Sequence, residues 1–113
     1  MKTYFGFGIA PSMFPATCGI NRRPLSVDEV KVAIADGVTS CLNPSHKETI
    51  KIMENRFGIK AEIPLKAPSV LLQSGDRLVV MGVTGLPRLE GRHEYTTGEV
   101  EGAVFTFSEF CVQ

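Results

Sequence analysis

Two Ser-x-x-Glu tetrads, Ser26-Val27-Asp28-Glu29 and Ser45-His46-Lys47-Glu48, each stand in front of an apolar stripe of helical spacing. A serine hydroxyl that accepts the backbone N–H three residues on, answered by a glutamate that takes the serine's own N–H, fixes where a helix starts. The first tetrad predicts a helix with Val27, Val30, Ile34 and Val38 along one face and Gly37 at its end. The second predicts a helix with Ile50, Met53 and Phe57 inward and Gly58 as its stop, with His46 on its first turn at i−4 from Ile50. Between them, residues 38–42 form a short β-prone run that leads directly into the second helix. Helices separated by strands in this way point to an α/β domain.

The remaining segments supply further strands. Residues 3–9 are β-prone, and their two glycines suggest close backbone approach or a bulge; Pro11 and Pro15 then enforce a loop. Residues 59–68 hold two prolines and read as irregular or edge structure. Ser74-Gly75-Asp76-Arg77 is a turn between apolar runs at 70–73 and 78–83, which predicts a tight antiparallel hairpin. Residues 84–102 carry little apolar periodicity and read as a long loop with one helical turn near 97–100, and long loops in compact domains are often functional. Residues 103–112 close the chain as a strand with Phe105 and Phe107 on one face and Phe110 and Val112 out of phase, which indicates a bulge or burial on both faces. The expectation is one domain over residues 1–113, a mixed sheet of about five strands flanked by helices, with the Gly75-Asp76 hairpin at or near its centre.

Composition narrows the function classes. Twelve basic residues balance twelve acidic ones, which argues against a broad basic face that coats duplex nucleic acid and leaves room for a small local anion pocket. The three cysteines, Cys18, Cys41 and Cys111, are odd in number and form no CxxC pair, which favours a reducing, cytoplasmic compartment. No apolar stretch approaches membrane-spanning length and no signal-like apolar region follows the N-terminus, so neither a membrane span nor a leader is expected. With His46 and His93 as the only histidines and no ligand cluster around them, neither a metal nor another cofactor is expected.

His46 carries the strongest chemical signal. Unpaired N–H groups and the positive dipole end at a helix N-terminus favour a phosphate, and an imidazole beside them is placed to donate a proton to it. The same local pattern also fits a plain capped helix start, and the Arg88-Leu89-Glu90 run taken alone fits a solvated loop.

Taken in order, these elements and motifs resemble the viral anti-CRISPR ring nucleases, small proteins that cleave cyclic tetra-adenylate, the second messenger of type III CRISPR defence. The resemblance runs from about Ser26 to Phe110. The family's Gly-His-x-x-Thr helix start corresponds to Ser45-His46-Lys47-Glu48-Thr49 and its Gly-Asp turn to Gly75-Asp76. Its Arg-x-x-Glu-Gly segment corresponds to Arg88-Leu89-Glu90-Gly91, shorter here by one residue. Ser45 stands in place of the family glycine, Lys66 is the only cation near Ala67 where the family has Asn-Arg, and Ser12 is the one polar candidate at the end of the first strand.

The resemblance implies a homodimer acting on a cyclic oligoadenylate, with a 2′-hydroxyl attacking the phosphodiester in line. It implies His46 as general acid toward the departing 5′-oxygen, Arg88 paired with the phosphate, and Glu90 orienting Arg88 or His46. Ser12, Ser45, Lys47, Thr49 and Lys66 are then the candidate substrate contacts, although Ser45 and Thr49 also suit local capping. A binding protein that sequesters a cyclic nucleotide without cutting it, and a partner-binding protein that shares only the fold, are the competing classes.

Overall fold

The structure, a computed structural model, describes residues 2–66, 68–85 and 96–113. Its strands are β1 (Thr3–Gly6), β2 (Ile20–Pro24), β3 (Thr39–Ser40), β4 (Arg77–Thr84) and β5 (Val104–Val112). Its helices are α1 (Val27–Asp36), α2 (Lys47–Phe57) and α3 (Thr97–Gly102), with single 3-10 turns at Pro11–Met13 and Pro44–His46. The strands form one sheet in the order β2-β5-β4-β1-β3. β1 runs parallel to β3 and β4, while β5 runs antiparallel to β4 and β2. This is the mixed five-stranded α/β domain that the sequence leads one to expect.

Burial on both faces of β5 explains its phase change. Its register against β4 is continuous from Val104 to Cys111, so there is no bulge. Phe107 joins a core with Phe5, Val79 and Met81 of the sheet, Val30 and Ala33 of α1, and Ile50 and Met53 of α2. Phe110 and Val112 point the other way, into a second core with Leu78, Val80, Val70 and Leu72. Among the described residues no α-helix contributes to that second core. Loops cover it instead, through Met13, Phe14 and Cys18 on one side and Val70 and Leu72 on the other, and the Leu72 N–H donates to the Met13 carbonyl at 2.7 Å.

α1 begins as its tetrad dictates. The Ser26 hydroxyl accepts from the Glu29 N–H at 3.1 Å, and the Glu29 carboxylate accepts from the Ser26 N–H at 3.0 Å. α3 is opened by an equivalent pair, Thr96 with Glu99, at 3.2 and 2.9 Å. It is tied to α2 by Arg56, whose Nη1 donates to the Val100 carbonyl at 2.8 Å. α2 is framed one residue later than its tetrad suggests. Residues Pro44–His46 form the 3-10 turn, His46 is the N-cap without a side-chain cap bond, and Gly58 at φ 67° closes the helix.

Three strand expectations are corrected. Residues 70–73 pair with no strand: Val70 and Leu72 alternate with exposed Leu71 because they bury onto the sheet face, which imitates the period of a strand. The hairpin therefore does not form, and β4 pairs with β1 and β5. The turn itself is present, and Asp76 anchors it by accepting from the Lys2 N–H at 2.9 Å and the Gln73 N–H at 3.1 Å. β1 stops at Gly6 and β3 is only Thr39–Ser40, each shorter than its β-prone run. β2 gave no apolar signal because all of its residues are exposed; it is held by backbone pairing to β5 and by its arginines. The loop expected over 84–102 lies largely outside the described residues, at 86–95.

The buried carboxylate of Glu109 joins these elements. It is 4% exposed, and it accepts from Arg77 Nη1 at 2.8 Å and from Arg23 Nε at 2.6 Å. Arg77 Nε also donates to Thr3 Oγ1 at 3.0 Å, and Arg23 Nη1 reaches Glu29 at 3.0 Å. Burial alone would push the Glu109 carboxyl up, but the bonds and charges of Arg77 and Arg23 outweigh it and hold the carboxyl below its usual range.

The native state therefore binds the Glu109 proton more weakly than the unfolded chain does, so this stabilisation is complete at neutral pH and is lost as pH falls through the native carboxyl's titration. Asp76 is also held low, by the Lys2 and Gln73 N–H groups, and adds to the same acid limb. Thermal melts from pH 7 to pH 3 should show that limb, and Glu109→Gln should flatten it while costing about 1.5–3 kcal/mol at pH 7. In urea titrations, Met53→Ala, which empties a fully buried site, should cost about 2–5 kcal/mol, and Leu65→Ala at an exposed site less than about 0.5 kcal/mol.

Candidate functional site

β1 and β3 lie side by side, run the same way and end together, and the chain leaves them through Phe7-Gly8 and through Cys41, Leu42 and Asn43. The carboxyl ends of parallel strands in an α/β sheet are where such folds open a crevice. Here a pocket of about 260 Å³ occupies that position. His46 and Asn43 supply its polar groups, Phe7 and Cys41 its sides, and Met13, Pro68, Val70 and Leu78 an apolar wall. Gly6 leaves room where the strands end, since a Cβ there would stand 3.4 Å from the Cys41 Cβ.

His46 enters this pocket from the N-terminus of α2. Its N–H donates to the Asn43 carbonyl at 2.9 Å, which closes the 3-10 turn and fixes its Cα at the helix start. The residue is exposed, in contrast to the inward-facing position expected from the helical stripe, because the N-cap has left the helical φ/ψ that would carry that stripe forward. Its imidazole packs against Phe7, with ring centroids 6.3 Å apart and planes inclined at 32°. Lys47, Glu48 and Thr49 form the first turn of α2, with Glu48 its acidic residue.

Cys41 is the other reactive group in the pocket. Burial pushes its thiol up, and the backbone bond from Phe5 only partly offsets this, so the sulfur stays protonated at neutral pH and is a weak nucleophile. Among the described residues no three His, Cys, Asp or Glu side chains stand together as a metal site.

The other candidates fall as follows. Ser12 is exposed on the 3-10 turn beside Met13, and Lys66 is exposed two residues before Pro68; neither lines the pocket, although each adjoins a segment that does. Lys47 and Thr49 are on the first turn of α2 outside the lining. Ser45 belongs to the 3-10 turn, and its side chain lies outside what is described, as do Arg88 and Glu90 entirely. Phe7 and Cys41 were not anticipated. The signal for Phe7 was its place between two glycines at the end of a β-prone run.

No protein-family model and no curated protein matches the chain. Among solved structures the chain is similar to B116 of Sulfolobus turreted icosahedral virus, with a TM-score of 0.69 and 15% identity over 98% of this chain and 99% of that one. At that identity the likeness is one of fold. Among the described residues no helix is long and apolar enough to cross a membrane.

The protonated state of Cys41 is open to direct measurement. Iodoacetamide at pH 7 should leave Cys41 largely unmodified in the folded protein, and its alkylation rate, followed by peptide mass spectrometry, should still be rising above pH 9.

Proposed function

We propose that the protein is a viral, metal-independent ring nuclease that degrades a cyclic oligoadenylate, with residues 1–113 acting as one domain. The observation that carries this reading is His46 at the N-terminus of α2, lining a pocket at the carboxyl ends of two parallel strands. Helix-terminal N–H groups suit a bridging phosphate, the apolar wall suits a nucleobase, and an imidazole is a side chain suited to general acid catalysis. The viral origin of B116, a protein of the same fold, agrees with a viral source, and the host cytoplasm is where the messenger would be met.

In this reading the ribose 2′-hydroxyl attacks phosphorus in line and loses its proton to solvent. The P–O5′ bond breaks, the 5′-oxygen takes a proton from His46, and a 2′,3′-cyclic phosphate remains. Arg88 balances charge on the non-bridging oxygens and Glu90 orients Arg88 or His46, as the family resemblance implies. Ser12, Ser45, Lys47, Thr49 and Lys66 contribute around the ring, and a two-fold dimer sets one His46 on each side of it.

Sequestration without cleavage is the second reading. Two features favour it: no arginine stands near Ala67, and Glu48 brings a carboxylate into the first turn of α2, where it opposes a phosphate.

Incubation with cyclic tetra-adenylate in EDTA separates the readings. The wild-type protein, of two-chain mass by light scattering, should cleave the ring. His46→Ala should lose about 100- to 10,000-fold in rate while still binding and melting like wild type. Tight retention without cleavage by the wild-type protein would establish sequestration in place of catalysis, and absence of binding would reject both.

A further inference from the structure

We infer that Phe7 is a positioning residue for His46, with its ring holding the imidazole at the pocket while the buried Phe5 holds Phe7; the inference builds on the reading of His46 as general acid. A general acid works only when its proton is held within hydrogen-bond reach of the leaving oxygen, about 2.6–3.2 Å between heavy atoms. The backbone of His46 is fixed by the 3-10 turn and α2, but its side chain is exposed and rotates on two torsions. In many sites a hydrogen bond to the second ring nitrogen settles that rotation. Among the described residues the His46 imidazole makes no hydrogen bond and no ion pair, and its one ring contact is with Phe7.

That contact leads back to the core. The 6.3 Å separation lies within the range of favourable aromatic pairs, about 4.5–7 Å. Phe7 is half-buried, and its ring meets Phe5 edge-on, with centroids 6.3 Å apart and planes at 72°. Phe5 is 0% exposed within the core that α1 and α2 share with the sheet. Three rings thus connect a fully buried side chain to an exposed imidazole, and the middle one also lines the pocket. A misplacement of about 1 Å at a reacting group costs on the order of 100-fold in rate, so removing the middle ring should be felt in turnover.

Proton NMR of the folded protein tests this directly. The His46 ring signals, assigned by their loss in His46→Ala, should lie away from free-imidazole positions because of the Phe7 ring current. They should return toward those positions in Phe7→Leu and stay displaced in Phe7→Tyr. Phe7→Met, which also lacks a ring, replaces Phe7→Leu if the latter fails to melt cooperatively.

With cyclic tetra-adenylate as substrate, Phe7→Leu should lower kcat about tenfold or more with KM within about twofold, and Phe7→Tyr should restore kcat to within about threefold of wild type. Unmoved His46 signals in the ring-less variant would overturn the inference. So would a loss confined to KM, which would make Phe7 a base platform instead. If the wild-type protein cuts no ring, the catalytic reading fails, and the imidazole signals alone then decide whether Phe7 holds it.

Discussion

The two-sided ion pairing of Glu109 is the constraint on which the sheet's arrangement rests. A buried carboxylate is costly unless its oxygens are satisfied, and here each is taken by a different arginine, one from β4 and one from β2. Arg23 continues to the capping residue Glu29 of α1, and Arg77 continues to Thr3 at the start of β1. One side chain on β5 therefore sets how β2, β4, β1 and the first turn of α1 stand to one another. The site depends on this at one remove, because β1 carries Phe5 and leads directly into Phe7, which meets His46.

Features encoded locally were legible in the sequence. The Ser26–Glu29 box, the stops at Gly37 and Gly58, and the alternating phenylalanines of β5 each act through residues a few positions apart, so pattern and spacing were enough. Features decided by distant partners were not. β2 has no apolar face to announce it and exists through its pairing with β5 and the reach of Arg22 and Arg23 to Ser108 and Glu109. Residues 70–73 carried a strand's alternation because a loop lying on a sheet face buries every second side chain, just as a strand does. The Ser45 tetrad placed α2 correctly to within one residue, and Pro44 accounts for the remainder by favouring a 3-10 turn ahead of the helix.

The candidate site divides the same way. His46 was legible because a helix start is a local event. Its companions Phe7 and Cys41 directly follow the ends of β1 and β3, and the parallel pairing of those strands brings them to it. The fold is shared with B116 at 15% identity, as packing and register tolerate much replacement.

On the sheet face that no described α-helix covers, the pocket wall and the His46 turn are built separately. Met13, Pro68 and Val70, which wall the pocket, belong to connecting segments joined by the Leu72–Met13 bond, while His46 and Phe7 are fixed by a helix and a strand end. Shape and chemistry in this pocket are thus carried by separate parts of the chain. Insertions or exchanges in the two connecting segments would reshape the cavity's apolar wall and leave in place the helix-side core and the turn that carries His46.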